Sequence, residues 1–270
     1  MKFSQQSFQE VADLFEQASG IRYGPEKKDT VAMRLLRLAR LQGCEDLDAY
    51  VESALRVTRD PGEMRRIVDR LTTNETYFFR EPAHFELLER LAARRGPGRP
   101  FRFWSAACSS GEEAYSAAMV LAERFGLDGD WDVMGTDLST EMIAAARAGL
   151  YPMERIDGVS PARLKRYCRR GSGPYEGKLL VARELRARTR FEVANLARPL
   201  PPALRLGRFD AIFLRNVLIY FRAEQKKAIV ERVAQHLAEG GCFFIGHSET
   251  LTGVTWELAA VQPAVYERAG

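Results

Sequence analysis

FRFWSAACSSGEEAY, residues 101–115, opens with alternating apolar positions behind a breaker cluster, Gly96-Pro97-Gly98-Arg99-Pro100. That is the pattern of a strand entering a buried sheet. Small residues follow, Ala107-Cys108-Ser109-Ser110-Gly111, and then EEAYSAAM, a helical run with acids in its first turn, where the helix dipole favours them. Strand, tight small-residue turn and helix together form the nucleotide-binding entry of a doubly wound α/β sheet. The small residues let the chain turn sharply and let a ligand approach the backbone. The dinucleotide pattern GxGxxG is absent; of it only Gly111 remains. A pyrophosphate is disfavoured by the two carboxylates after the turn, which instead suit a ligand bearing hydroxyls and positive charge, such as S-adenosylmethionine. An ordinary βα turn with an acidic helix start has the same features, so the turn alone leaves both readings open.

Upstream, residues 5–75 read as helices. SFQEVADLFEQASG places apolar residues at 8, 11, 14 and 15 and ends on Gly20, and Pro25 opens the next helix, which stops at Gly43. Lys27, Lys28, Arg34, Arg37 and Arg40 are opposed only by Asp29 in that stretch. The three arginines fall within about 120° of one another on a helix, a local basic stripe that is either a solvated face or a dock for an acidic partner. LTTNETYFFRE (71–81) changes character, with hydrogen-bonding residues followed by an aromatic cluster. Such a linker is placed either to fold over the site after residue 105 or simply to pack. Pro82 then starts a further helix.

Downstream, WDVMGTD is a second strand closing on Asp137, 26 residues past Gly111 and placed to accept both ribose hydroxyls. Ser139 or Thr140 caps the next helix. Residues 151–190 break the βα alternation. Two short polar helical pieces lead to the glycine-rich GSGPYEG turn (171–177), and KLLVARELRARTRFEV alternates well enough for two or three short strands. This reads either as a decorated loop or as a small antiparallel insert, at about residues 165–190, whose tip suits strand addition of an extended peptide. The main sheet resumes with RFEVANL, ending at Asn195, and with DAIFL before Arg215-Asn216. A helix is expected to run from EQKK to Gly240-Gly241, then a buried strand CFFIGHSE, then a terminal hairpin in WELAAVQPAVYERA. The strand ends thus collect Ser109–Glu113, Asp137, Asn195, Arg215-Asn216 and His247-Ser248, and ligands bind beyond those ends in open α/β sheets.

With 270 residues, 46% hydrophobic and 28% charged, the chain has a sizeable core. Net charge of +4 is too small to argue for nucleic acid. The start, MKFSQQSFQE, has no apolar signal core, and no run is long enough for a membrane span. Cys44, Cys108, Cys168 and Cys242 lie far apart, which favours free thiols in a reducing cytosol over disulfides or zinc.

The runs LTTNETYFFRE, RFWSAACSSGEEAYS, GTDLSTEMIAAARAGLY, VANL, FDAIFLRNVLIYF and FFIGHSE together resemble the CheR family of chemotaxis receptor methyltransferases. The resemblance spans nearly the whole chain. It implies an all-helical N-terminal domain (1–75) that docks receptors, a linker and helix (76–100), and a Rossmann-like class I S-adenosylmethionine-dependent methyltransferase domain (101–270) with a small antiparallel β insert. It also implies glutamate O-methylation of chemoreceptors, with S-adenosylhomocysteine as product and no metal. Cofactor contacts are implied at Asn74, Thr76, Arg80, Glu113, Asp137, Asn195, Leu196, Arg215 and Asn216, and catalytic roles at Arg80 and Tyr220. Ala114 and Cys108 depart from the family pattern. A cytoplasmic monomer is expected. Its partners are the receptor helical bundle, through Lys27, Lys28, Arg34, Arg37 and Arg40, and a receptor C-terminal peptide at Gly171–Gly177. Membrane insertion and nucleic acid are not expected.

The chemistry agrees. A glutamate is an anion at neutral pH, so its methylation needs position and dryness rather than a general base. Nucleic-acid amino-methyltransferases share the fold but carry an Asn/Asp-Pro-Pro-aromatic turn where this chain has Leu214-Arg215-Asn216-Val217. A non-catalytic cofactor-binding adaptor is the remaining alternative.

Overall fold

The computed structural model describes residues 2–96, 98–200, 202, 207–251 and 258–268. Contacts divide it into two units: the chain up to Thr73 with Tyr220–Gln225, and Asn74–Ile219 with the chain from Lys226 onward. Among the described residues no helix is long and apolar enough to cross a membrane.

The first unit is helical, as the 3.6-residue periodicity requires. α1 (Gln5–Ser19) starts at the Ser4 cap and ends at Gly20, whose φ of 81° is left-handed. α2 (Lys28–Leu41) follows a 3₁₀ turn over Pro25–Lys27. α3 (Leu47–Val51) and α4 (Pro61–Leu71) are capped by Asp46 and Asp60. Phe8, Val11, Phe15, Val31, Leu35 and Ile67 form the apolar interior. The expected basic stripe is corrected at Arg34. Its Nη1 donates to the carbonyls of Leu71 and Thr72, and its Nη2 donates to Thr73 Oγ1 at 3.1 Å. Arg34 therefore closes the carboxyl end of α4, while Lys27, Arg37 and Arg40 remain exposed.

The second unit is built on a seven-stranded sheet in the order β6-β2-β1-β7-β8-β10-β9. β1 (Phe101–Ser105), β2 (Trp131–Asp137), β6 (Thr189–Val193), β7 (Phe209–Leu214) and β8 (Leu237–Ile245) run parallel; β9 (Leu258–Gln262) and β10 (Val265–Arg268) close the edge antiparallel. The strand order reverses between β1 and β7, which puts the ligand crevice at their carboxyl ends. The expected terminal hairpin is β9–β10. Trp256, Glu257 and Ala269 of that run, and Pro97 of the breaker cluster, lie outside the described residues. α5 (Pro82–Ala93), α6 (Glu112–Phe125), α7 (Thr140–Ala148) and α8 (Pro161–Tyr167) precede the last two helices.

Two expected elements differ. RELRAR is a helix, α9 (Arg183–Arg188), because its straight-chain residues favour helix and Leu185 buries completely. The small sheet is therefore assembled from β3 (Leu150–Pro152), β4 (Cys168–Arg170) and β5 (Lys178–Val181), in the order β3-β5-β4, and it begins before residue 165. The helix before Gly240-Gly241 stops earlier. α10 spans Ala223–Ala234, and Leu237–Gly241 already belongs to β8, where a register shift against β7 accommodates Gly240 at φ 65°.

Gly111 caps α6 at φ 98°, and a Cβ there would sit 2.8 Å from Ala146 Cβ and 2.9 Å from the Tyr151 hydroxyl. Gly111→Ala is expected to lower stability by about 1–3 kcal/mol through backbone strain and overpacking, measurable by urea unfolding.

Candidate functional site

The crevice is floored by the β1–α6 turn and roofed by the 74–81 segment. Ser109 Oγ donates to the Asn74 carbonyl at 3.0 Å, and the Phe79 N–H donates to Ser116 Oγ at 3.0 Å. The polar-aromatic linker thus folds over the turn, with Phe78 fully buried. Six described non-glycine residues have positive φ, and four of them, Phe79, Glu81, Ser109 and Asn216, lie here. Such backbone persists only where its surroundings over-determine it, which marks a site.

The electrostatic centre is Arg215, whose side chain is wholly buried. Its Nη1 pairs with Glu113 Oε2 at 3.0 Å, and its Nη2 pairs with Glu81 Oε2 at 3.0 Å and donates to the Arg80 carbonyl. Ser105 Oγ donates to the other oxygen of Glu113 at 2.6 Å. Burial pushes the Glu113 carboxyl above the ordinary glutamate value, and Arg215 and Ser105 only partly offset it. Burial also acts to raise Glu81. There, however, the charge of Arg215 and the hydrogen bonds from Arg215, Asn216 and the His247 N–H prevail and hold it below the ordinary value. Two acids share one cation, so this part of the crevice is net negative.

Asp137, at the end of β2, accepts the Ser109 N–H at 2.8 Å on one oxygen and the Ser139 N–H at 2.9 Å on the other. Both bonds aim the carboxylate at the turn. Asn195 Oδ1 accepts the Ala197 N–H at 2.9 Å, and Leu196 is buried beside it in sequence.

Glu81, His84 and His247 bring ligand-type atoms within 4.8 Å of one another. Burial, then the Arg215 charge, holds His84 down to about 4, so its imidazole is neutral near pH 7. Even so, Glu81 Oε2 already faces the Arg215 guanidinium at 3.0 Å, and that buried cation works against a second one.

Two family models match the chain. The CheR methyltransferase all-alpha domain covers residues 6–72, and the CheR methyltransferase SAM binding domain covers residues 74–266. The chain belongs to the CheR methyltransferase family. Chemotaxis protein methyltransferases of Salmonella typhimurium and Escherichia coli are 37% and 39% identical to it, over 98% and 93% of this chain and 91% and 87% of theirs. Chemotaxis protein methyltransferase 2 of Pseudomonas aeruginosa is 38% identical, over 99% of this chain and 94% of its own.

In this CheR chain the sequence-selected residues do not all play one part. Asn74, Arg80, Glu113, Asp137, Arg215 and Asn216 are drawn together by the bonds above. Arg80 folds back on its own segment, with Nη1 on the Glu75 carbonyl at 3.0 Å and the guanidinium 5.6 Å from the Tyr77 ring centroid. Thr76, on the same segment, is half-buried. Arg215 spends its guanidinium on Glu81 and Glu113. Tyr220 ends a 3₁₀ turn and groups with the first unit.

Glu249 escaped the sequence reading, although His247-Ser248 beside it did not. Its Oε2 accepts the N–H groups of Gly246 at 2.6 Å and Asn216 at 2.9 Å; its Oε1 accepts those of Leu218 at 2.7 Å and Ile219 at 3.3 Å. One carboxylate thus fixes the loop after β7 to the end of β8. The signal was a lone acid after a buried strand, in a place where backbone donors need an acceptor. Glu249→Ala is expected to lower stability by about 2 kcal/mol, since these are charge-assisted bonds partly replaced by water. Glu249→Gln, which keeps one carbonyl oxygen, should recover part of the loss in the same denaturant titration.

Proposed function

We propose that this chain transfers the methyl group of S-adenosylmethionine to glutamate side chains in the cytoplasmic helical bundle of chemoreceptors, releasing S-adenosylhomocysteine. The observation that carries this reading is the acid-rich, backbone-anchored crevice at the β1/β7 switch point, in a chain matched by the family models from residue 6 to 266. The crevice suits that cofactor: Gly111 lets the β1–α6 turn close tightly at φ 98°, Asp137 faces the turn, and the Glu113–Glu81–Arg215 group carries excess negative charge.

When bound, the cofactor supplies a methyl group activated by a sulfonium centre. Asp137 takes the ribose hydroxyls, and Glu113 takes the positively charged amino-acid end. Asn74, Thr76, Asn195, Leu196 and Asn216 line the remainder. Arg215 positions Glu113 and Glu81 rather than touching the ligand with its guanidinium. Arg80 orients the acceptor carboxylate, which arrives already ionised; the catalytic role of Tyr220 is carried by the family resemblance alone. No proton has to be removed, so the residues contribute by orienting the reactants and excluding water; orientation of this kind is worth about 7–11 kcal/mol in favourable cases.

The exposed Lys27, Arg37 and Arg40 support docking of an acidic receptor surface. Arg37→Glu with Arg40→Glu is expected to raise the receptor KM by about tenfold or more at low salt, with the difference shrinking at high salt. The outer edge of β4, next to the Gly171–Gly177 turn, suits an added strand from a receptor tail. Radiolabelled methyl transfer to receptor cytoplasmic fragments tests the reading. Base-labile label on the receptor supports it; cofactor binding without transfer makes the chain an adaptor.

A further inference from the structure

At the amino ends of the parallel strands, away from the crevice just described, lies a cavity of about 540 Å³. Four arginines, Arg99, Arg102, Arg208 and Arg268, line it against one lining acid, Glu239, over buried Leu237. The volume lies in the range of small-ligand sites, about 300–1,000 Å³, and is far larger than a single inorganic ion.

Three of the four arginines are held in place, while Arg208 is exposed. Arg99 grips Asp210 with both terminal nitrogens, at 2.8 and 3.1 Å, and Asp210, itself buried, also accepts the Arg102 N–H at 2.9 Å. Arg102 gives its Nε to Asp132 at 3.3 Å and lies 4.9 Å from the Phe209 ring centroid. Its Nη1 would be only 1.8 Å from a Cβ on Gly207, so the absence of a side chain there makes room for the guanidinium. Arg268 donates Nη1 to the Leu237 carbonyl at 2.7 Å. Arg208 has no acid partner among the described residues. With Arg95 included, which reaches Asp210 at 3.6 Å, five arginines face Asp132, Asp210 and Glu239. Several fork-shaped donors converge on one recess, with positive charge left over and an apolar floor. That combination fits the oxygens of a multiply charged phosphate and the flat face of an attached ring.

We infer that this cavity binds a phosphorylated small molecule of nucleotide size. β1 and β7 begin beside it and end at the opposite crevice, so the two sites are separated by the length of the sheet.

The test is isothermal titration of the full chain saturated with S-adenosylhomocysteine, which blocks the crevice, using sodium tripolyphosphate and ATP as probes. The wild type is expected to bind both saturably at one site, with ATP the tighter. Arg208→Glu should weaken both by about tenfold or more, and Arg208→Ala by less, with the unfolding midpoint of each variant unchanged in the absence of probe. The inference is overturned if neither probe binds the wild type, or if Arg208→Glu binds them as the wild type does. It is also overturned if a poly-glutamate peptide binds and the phosphates do not, which would make the face a protein dock.

Discussion

Arg215→Met is expected to reduce the unfolding free energy by about 3–5 kcal/mol, the usual range when one partner of a buried ion pair is removed. Methionine approximates the shape of the arginine stem, so the loss is electrostatic. Glu113 and Glu81 are left facing each other without their cation, and the Arg80 carbonyl loses its donor. The pH dependence separates this account from simple loss of packing. In the wild type, Glu81 has a lowered value. It contributes stability above the unfolded glutamate value of about 4.3, and that contribution is lost as pH falls through the lowered value. Glu113 is raised, so the native state holds its proton more tightly, and stability falls as pH rises from the unfolded value through the raised one. Without Arg215, the main opposition to burial is lost at both acids, and both values rise. The gap between variant and wild type should therefore widen from pH 5 to pH 7 in urea titrations. Adding Glu113→Gln and Glu81→Gln should recover much of the loss. A gap that is the same at both pH values would mean that packing, not charge, is responsible.

That buried triad also shows where local reading of the sequence ends. The strand, turn and helix at 101–125, the acid closing β2 and the capped N-terminal helices are written in periodicities and caps a few residues long, and they were legible. Glu113 and Arg215 are 102 residues apart, and their pairing depends on β7 inserting beside β1 rather than beside β6. From the sequence Arg215 reads only as a ligand group at a strand end, and the ion pairs with Glu81 and Glu113 around it are legible only in the fold. Arg34 failed for the same reason: its helical phase matches a basic stripe, but Leu71 and Thr72 arrive from α4 to claim it. RELRAR and LAEGG misled in the opposite direction. In RELRAR the strand-like alternation yields to the helix that its straight-chain residues favour, with Leu185 buried, whereas in LAEGG pairing along β7 overrides the helical continuation.

Asp137 is where the proposed cofactor role makes its sharpest demand. Two charge-assisted hydrogen bonds to ribose hydroxyls, each worth about 1.5–3 kcal/mol, imply that Asp137→Ala weakens S-adenosylhomocysteine binding by about 100-fold or more. The same carboxylate also accepts the Ser109 and Ser139 N–H groups, so a bare loss of affinity would not distinguish contact from collapse of the turn. A cycle on the ligand side does. Removing the ribose 2′- and 3′-hydroxyls from the ligand should weaken binding to the wild type by a similar factor and leave Asp137→Ala nearly indifferent, because the partner is already missing. A variant that discriminates between the two ligands as strongly as the wild type would show that the ribose is held elsewhere. Asp137 would then be a scaffold for the β1–α6 turn, and the hydroxyl contacts would have to be sought along the Asn74–Arg80 roof.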